Sequence, residues 1–565
     1  MNLKNLVAST LPNEELYEGL SKLIIKTQDS EKGDLSIPCF SLAKTLKKAP
    51  MLIAEELREK IIANPNFNKY FSKLEVLAGY LNFYFDKEKI SCEIIKEILI
   101  NANSFKSNLG NGQTICIDYS SVNLAKYMHI GHLKNTIIGE SIARICENLG
   151  YKVIRINYIG DYGTPFGKII VGYKKWGNKQ DVDKRGIDAL QELYVRFNQE
   201  ANDTNSLDDE AREVFKKIEE KDEEIYSLYT WIIDIAKKEA KRLLDKLGVT
   251  FDSWKGESSY SGKLDEVVAL LTKKGLTQIS EGALIVDLSK FDMPPCLIKR
   301  SDGASLYATR DIAAALDRYQ NYKFDKMFYV TGHEQILHFK QFFKVLELAN
   351  QPFAQNLEHI HYGLFSLPTG KISSRKGKQA TLVDLMDYAQ NKANEVIKDR
   401  TFNIEKPETV AEKVARGALN FSALKVEVGK DCVFDIDKAF AFDGETAPYM
   451  QYTYTRIESI LRKAPAVENI KADYSVLTSL EAFELLKACN SVTDTIQLAF
   501  EKREPSIIVK HSMDICKTLN KFYTTTKVLD GTTAQIKAKL ELLQCVKLAL
   551  QILFNLICID TLKEM

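Results

Sequence analysis

TICIDYSSVNLAKYMHIGH, residues 114–132, packs a short apolar run, a polar loop and the start of a helix into one stretch. The run TICIDYS suits a strand buried on both faces of a parallel sheet. After the loop, the periodicity predicts a helix from about His132, ended by Gly150 in the C′ position that glycine favours. Val153 to Tyr158 is a second apolar run, so the order strand, loop, helix, strand forms one βαβ unit of a doubly wound sheet. The same grammar returns downstream: helix Arg310–Tyr319, strand Met327–Thr331, helix Gln335–Ala349 and strand His359–Leu364. The expected fold is therefore α/β, a doubly wound parallel, Rossmann-type catalytic sheet.

Outward from that core the pattern changes on both sides. Residues 180–250 between the two halves are charge-rich with helical period (DDEAREVFKKIEEKDEEIYSLY) and read as a solvated helical insertion. Upstream, Leu42–Ile62 is helical with a break at Pro50, Leu74–Phe85 is a strand or hairpin, and Asn101–Gln113 is a polar linker. From about residue 445 helices dominate: Phe483, Leu486, Val492, Ile496 and Phe500, then Leu542, Val546, Leu550 and Leu553, recur at helical spacing and predict a bundle core. The expected domains are an α+β unit over 1–105, the catalytic sheet over 106–368 with its insertion at about 180–260, a connecting helical region over 369–444, and an all-α bundle over 445–565.

Composition limits the function classes. The chain has 565 residues, 45% hydrophobic and 27% charged, which excludes disordered, collagen-like and disulfide-stapled proteins. Lys+Arg 77 against Asp+Glu 76 leaves a net charge of +1, so a phosphate-backbone partner must be met by local basic patches. The ten cysteines form no C-x-x-C pair and sit mostly in apolar stretches, as core residues do. No apolar stretch follows Met1, Glu14, Glu15 and Glu18 argue against a transit peptide, and the apolar segment Leu548–Ile559 is too short to span a bilayer. A reduced, cytoplasmic protein with no membrane association is expected.

Two loops carry chemistry. The first enters a helix N-terminus at the carboxyl end of a strand, where backbone N–H groups and the helix dipole favour phosphate. His129 and His132, three residues apart, share one side of the first turn, and Gly131 between them allows close approach. Two imidazoles donating to charge that develops on a transferred phosphate supply electrostatic stabilisation. The alternative, a histidine metal pair, has no supporting H-E-x-x-H or cysteine pattern. The second loop, GKISSRKGK at 370–378, offers two glycines, cations and hydroxyls suited to polyphosphate; its alternative is a solvated basic loop. If both bracket one cleft, ATP is the simplest ligand.

HIGH at 129–132 followed by KISSR at 371–375 resembles the paired signatures of class I aminoacyl-tRNA synthetases. The surrounding stretches SSVNLAKYMHIGHLKNTIIGESIARI, VIRINYIGDYGTPFG, SDGASLYATRDIAAAL, TGHEQILHFKQFFKVL and FDGETAPYMQYTYTRIESILRKA resemble the arginyl-tRNA synthetase family. With GDLSIPCFSLAKTL near the N-terminus, the likeness covers nearly the whole chain.

The resemblance implies an arginine–tRNA ligase that makes arginyl-adenylate from L-arginine and ATP and passes the arginyl group to the 3′ end of tRNA(Arg). It places His129, Gly131, His132, Gly332, Lys371, Ser373, Ser374 and Arg375 on ATP, with Lys126, His129 and His132 catalytic. It implies Mg²⁺ accompanying ATP with no dedicated protein metal site, activation that waits for bound tRNA, and a monomer. It gives the N-terminal domain the tRNA elbow and the C-terminal helices the anticodon, where Tyr449, Gln451, Tyr452, Tyr454 and Arg456 would stack on or donate to unstacked bases. The alternative for these tyrosines is core packing.

The amino-acid pocket also follows from chemistry. A guanidinium is planar and always charged, so it needs carboxylates aimed at its fork of donors. Tyr307 and Asp311, four apart at a helix start, share a face: one ring to lie against the guanidinium, one carboxylate to receive it. By resemblance these are the family's arginine-binding pair, with Ser121, Asn123 and Gln335 on the α-amino group and Glu257 a second carboxylate. Two departures stand out. Val122 replaces the family's proline, loosening the loop, and Ser374 replaces the second signature lysine; by resemblance Lys126 compensates, with Lys371, Arg375, Lys376 and Lys378 as alternative cations. The rival readings are another class I synthetase and a non-catalytic tRNA-binding module.

Overall fold

The computed structural model describes residues 1–13, 19–27, 30–101, 103–201, 206–300, 307–368, 381–398 and 406–565. They divide into two compact units: residues 1–105 with 453–495 and 511–552, and residues 106–452 with 496–510 and 553–565.

In the first unit, β1 (Ile25–Lys26), β2 (Leu35–Pro38), β3 (Phe71–Leu77) and β4 (Tyr80–Phe85) form an antiparallel sheet in the order β1-β2-β4-β3. The expected hairpin is β3–β4, turned through Ala78 and Gly79 at φ 51° and 81°. Pro50 starts a helix rather than bending one: α1 (Phe40–Leu46) ends before it, and α2 (Pro50–Ile62) opens on it, where the missing N–H costs nothing. Asp86 caps α3 (Lys87–Ile100) by accepting from the Lys89 N–H. Helices Leu480–Asn490 and Ser506–Thr525 contribute to the same unit, where Lys487 lies 2.9 Å from Asp34 with both side chains largely buried. Every member of the two apolar stripes read from 483 onward is buried.

In the second unit, β5 (Thr114–Asp118), α4 (Ile130–Asn148) and β6 (Lys152–Ile156) make the expected βαβ unit. A Cβ on Gly139 would lie 2.2 Å from the Tyr119 ring, which is why α4 settles flat against the end of β5. Helix Thr164–Trp176 follows, and helices Lys179–Arg185, Ile187–Ala201, Ser206–Glu219 and Glu223–Lys246 lie in the span expected to be the insertion. The antiparallel strands β7 (Thr277–Ser280), β8 (Ala283–Val286) and β9 (Cys296–Lys299) follow, then α5 (Tyr307–Tyr322). β10 (Lys326–Gly332), α6 (Ile336–Leu348) and β11 (Leu357–Tyr362) complete a parallel sheet ordered β11-β10-β5-β6.

The strand order positions the site. From neighbouring strands β5 and β10 the chain crosses outward in opposite directions, to β6 and to β11. The carboxyl ends of β5 and β10 therefore flank the point of reversal, where doubly wound sheets bind ligands. A fully buried lysine braces this end: Lys134 of α4 donates to the carbonyls of Gly363 (3.0 Å) and Lys430 (2.7 Å), just before the short parallel pair β12 (Phe365–Ser366) and β13 (Cys432–Val433). All ten cysteines are free thiols and all but Cys92 are buried. No described helix is long and apolar enough to cross a membrane.

Candidate active site

Beyond Asp118 the chain leaves the sheet through two consecutive left-handed residues, Ser120 at φ 70° and Ser121 at φ 46°. Such conformations cost about 1–3 kcal/mol each outside glycine and persist only when surroundings enforce them. Here the Ser120 N–H donates to Asn135 Oδ1 (2.9 Å), Thr136 Oγ1 to Ser120 Oγ (3.0 Å) and Ser121 Oγ to Asp118 Oδ1 (3.1 Å). Val122 is buried, and its carbonyl accepts from the Gly160 N–H while the Leu124 N–H donates to the Gly160 carbonyl. Asn123 is exposed, with Oδ1 accepting from the Ala125 N–H at 3.0 Å.

The two histidines cap α4 reciprocally. Nδ1 of His129 accepts from the Gly131 N–H, and Nδ1 of His132 accepts from the His129 N–H, both at 3.1 Å, with ring centroids 3.9 Å apart. A neutral imidazole that accepts at Nδ1 carries its proton on Nε2, so each ring retains one donor. Electrostatics favour that neutral form: burial, then His129, pushes His132 down to about 3, and desolvation, then the Lys126 charge, lowers His129. A Cβ on Gly131 would stand 2.8 Å from His129 Cε1, so glycine is needed because the capping ring folds over it. Among the described residues no group of three His, Cys, Asp or Glu side chains is placed to hold a metal ion.

Gly332 ends β10 and is buried; a Cβ there would meet the Glu334 carboxylate at 2.2 Å. Gln335, exposed, leads into α6. The second loop, with Lys371, Ser373, Ser374 and Arg375, lies outside the described residues. The described chain resumes at Thr381, which bridges to His129, and the Leu382 N–H donates to the Met128 carbonyl at 2.8 Å. The segment after the second loop is thus bonded directly to the first.

Three carboxylates lie near one another. Asp118 ends β5, Glu257 opens a 3-10 turn (Glu257–Lys263), and Asp311 lies in the second turn of α5; the side chain of Tyr307, where α5 begins, lies outside what is described. The Glu257 turn is held by Asp161, which accepts from the N–H and Oγ of Ser258 at 2.8 and 2.7 Å; a Cβ on Gly256 would come 2.4 Å from that carboxylate. Each carboxylate has a partner within the chain. Asp118 lies 2.8 Å from Arg318, Glu257 3.5 Å from Arg310, and Asp311 Oδ2 2.6 Å from Nε2 of His338. Burial, with Asp311 adding repulsion and Arg310 opposing both, raises Glu257 to about 7. Arg318 also stacks on Tyr158, 5.0 Å from its centroid, and the buried Tyr158 hydroxyl has no hydrogen-bond partner among the described residues.

Sequence reasoning passed over Arg310, Arg318, His338 and Tyr158. Two of them had a signal: Arg310 adjoins Asp311, and His338 stands one helical turn beyond Gln335, so both fall where α5 and α6 face the site.

The helix Ala447–Arg462 carries the residues expected to meet tRNA. Tyr449 and Tyr452 are half-buried. Gln451 and Tyr454 depart from that expectation, being only 0% and 1% exposed. Gln451 Nε2 donates to the carbonyls of Lys413 (3.3 Å) and Asp560 (3.1 Å), and the Tyr454 hydroxyl donates to Glu458 at 3.1 Å. Helical period explains it: Ala447, Met450, Gln451, Tyr454 and Ile457 form one buried stripe. Arg456 donates to Asn520 Oδ1 at 2.9 Å and lies 4.6 Å over the Tyr523 ring.

Comparison with known proteins agrees along the whole chain. Residues 94–436 match the family model described as tRNA synthetases class I (R), catalytic domain, residues 450–565 the DALR anticodon binding domain, and residues 1–85 the arginyl tRNA synthetase N terminal domain. An arginine–tRNA ligase of Clostridium perfringens is 43% identical, with 100% of both chains covered. One of Halothermothrix orenii is 41% identical, covering 98% of this chain and 97% of its own. Among solved structures, Thermus thermophilus arginyl-tRNA synthetase superposes with a TM-score of 0.81 at 22% identity over 100% of both chains. That of Plasmodium falciparum gives 0.78 at 23% identity, covering 100% of this chain and 97% of its own; at these identities the two report on fold alone.

Proposed function

Because the chain belongs to the arginyl-tRNA synthetase family and charges tRNA with arginine at the expense of ATP, we propose that this work is divided between two halves of one crevice. The loop after β5 works on ATP. The carboxylates Glu257 and Asp311 receive the arginine guanidinium, beside the buried Asp118–Arg318 pair. The observation that carries this reading is the convergence of the three carboxylates beside Ser121 at the strand end where the histidine-capped helix begins.

Arginine's carboxylate attacks the α-phosphorus of ATP, the bond to pyrophosphate breaks, and arginyl-adenylate forms. A terminal ribose hydroxyl of tRNA then attacks the arginyl carbonyl and releases AMP. His129 and His132 each offer an Nε2–H to phosphate oxygens, and staying neutral they donate without changing protonation. Lys126, exposed in the same loop, supplies the cation absent at Ser374. Lys371, Ser373, Ser374 and Arg375 of the second loop, with Gly332, contribute to binding ATP. Ser121, Asn123 and Gln335 hold the α-amino group, and Tyr307 lies against the guanidinium. Mg²⁺ would come with ATP and offset phosphate charge. The N-terminal unit over 1–105 meets the tRNA elbow and the helices from 445 the anticodon, with Tyr449, Tyr452 and Arg456 the residues of that helix best placed for bases. We place the reaction in the cytoplasm, on a monomer that sedimentation would test.

Asp311→Asn tests the pocket. It keeps shape and removes charge, so arginine binding should weaken by about 2–5 kcal/mol while ATP affinity holds. Unchanged arginine KM and kcat would show that Asp311 is structural.

A further inference from the structure

The three carboxylates of the amino-acid side differ in the partner each already has. Asp118 and Glu257 pair with Arg318 and Arg310, guanidiniums that keep their charge at any pH a protein survives. Asp311 pairs instead with an imidazole, the side chain whose charge changes between about pH 5 and 8. Accepting that Asp311 receives the substrate guanidinium, we propose that His338 is a positioning residue that fixes the Asp311 carboxylate through Oδ2 and makes arginine capture proton-linked.

The contact is short, 2.6 Å from Nε2 to Oδ2, and joins α6 to α5 across the site. Ring packing holds the imidazole in place: it lies parallel to Phe342 (13° between planes, centroids 6.3 Å apart) and meets Phe339 edge-on at 5.3 Å. With His338 neutral, Nε2–H donates to Oδ2, and both the remaining oxygen and the full negative charge serve the substrate. With His338 protonated, that charge is shared with an internal cation, and the imidazolium repels the incoming guanidinium. Acid should therefore weaken arginine binding.

Other ionisable groups among the described residues face this pair: burial raises the Cys296 thiol to about 12 and the Tyr158 hydroxyl well above its ordinary value, so neither ionises. From β11, His359 is held down to about 4 by burial, with His361 and His338 adding repulsion, and it shares a hydrogen bond with Thr331 Oγ1 at 2.8 Å, so it stays neutral. From β10, Tyr329 packs on Phe339 and Phe342, and burial raises its hydroxyl, so it does not ionise. From the strand end, Asp118 is bound to Arg318. Glu257, raised to about 7, also titrates near neutrality, and the experiment must separate it from His338.

The test is equilibrium dialysis of labelled L-arginine against the full chain at pH 8 and pH 6. Wild type should bind more weakly at pH 6 than at pH 8, by at most about a hundredfold, the limit for one linked proton over that interval. His338→Gln keeps an amide donor without a charge; it should match wild type within about threefold at pH 8 and lose most of the pH response. His338→Asn, too short to reach Oδ2, should bind about tenfold more weakly at both pH values. Glu257→Gln should keep the His338 part of the slope. If His338→Gln retains the wild-type slope while Glu257→Gln is flat, the response belongs to Glu257 and the proposal is overturned. If His338→Asn binds as wild type at pH 8, His338 does not fix Asp311. An Asp311→Asn variant with wild-type affinity at both pH values would sink the reading of the pocket itself, an outcome distinct from the failure of His338 alone.

Discussion

The two halves of the crevice handle charge in opposite ways. At the cap of α4 the fixed groups are neutral: two imidazoles whose Nδ1 atoms are spent on backbone N–H groups, leaving Nε2–H donors. Across the crevice the groups are carboxylates with partners of the chain's own, guanidiniums for Asp118 and Glu257 and the His338 imidazole for Asp311. The difference fits the proposed ligands: a phosphate calls for oriented donors. A guanidinium must be drawn out of water by charge, and a carboxylate waiting for it unpaired in a half-buried pocket would destabilise the empty fold.

That contrast predicts where each half breaks. The largest effect should come from removing an internal cation. Arg318→Met leaves Asp118 buried without its partner and should cost about 3–5 kcal/mol in urea unfolding, whereas His129→Gln should cost under about 1 kcal/mol. Equal costs would erase the distinction. Next is Lys126→Ala, which should lower adenylation by about two to three decades with arginine affinity nearly unchanged. Arg375→Ala and Lys376→Ala in parallel test the rival source of that charge; collapse in either with Lys126→Ala near normal would move it to the second loop.

Gly131→Ala should be milder. Its Cβ displaces the His129 ring from the Gly131 N–H, loosening the cap and slowing adenylation about tenfold. The smallest effect is also the sharpest test of the contrast, because its sign reverses between the halves. His132 is lowered to about 3, so the unfolded chain binds more protons below about pH 6.5 and stability from this group falls as acid is added. Glu257 is raised to about 7, so the folded chain binds more protons above about pH 4.5 and its stability contribution falls as pH rises toward 7. His132→Gln and Glu257→Gln should therefore shift the Tm–pH curve in opposite senses, each by at most about 2 °C.

The sheet was legible because its strands are short apolar runs separated by helices of clean period, and β5, α4, β6, β10, α6 and β11 all fall where periodicity puts them. Gly131 and the paired histidines were legible as the turn that opens a helix, but their reciprocal cap was not, since capping residues are usually sought among Ser, Thr, Asp and Asn. The internal cations were invisible for another reason: pairs such as Asp118–Arg318 join residues 200 apart in sequence, and only the strand order brings them together. On the helix Ala447–Arg462, aromatic composition suggested a nucleic-acid face, yet the helical stripe through Met450, Gln451 and Tyr454 decided which side chains remained outside.

The burial of nine of the ten thiols turns the cysteines into reporters of opening. A short pulse of alkylating reagent given to the native chain should mark Cys92 first, and the others only as the structure around them lets go. Cys39, Cys489, Cys516 and Cys545 report on the unit that holds the N-terminal sheet, and Cys116, Cys146, Cys296, Cys432 and Cys558 on the unit that holds the crevice. Peptide masses after pulses of increasing denaturant would give each unit its own clock, without a single residue being altered.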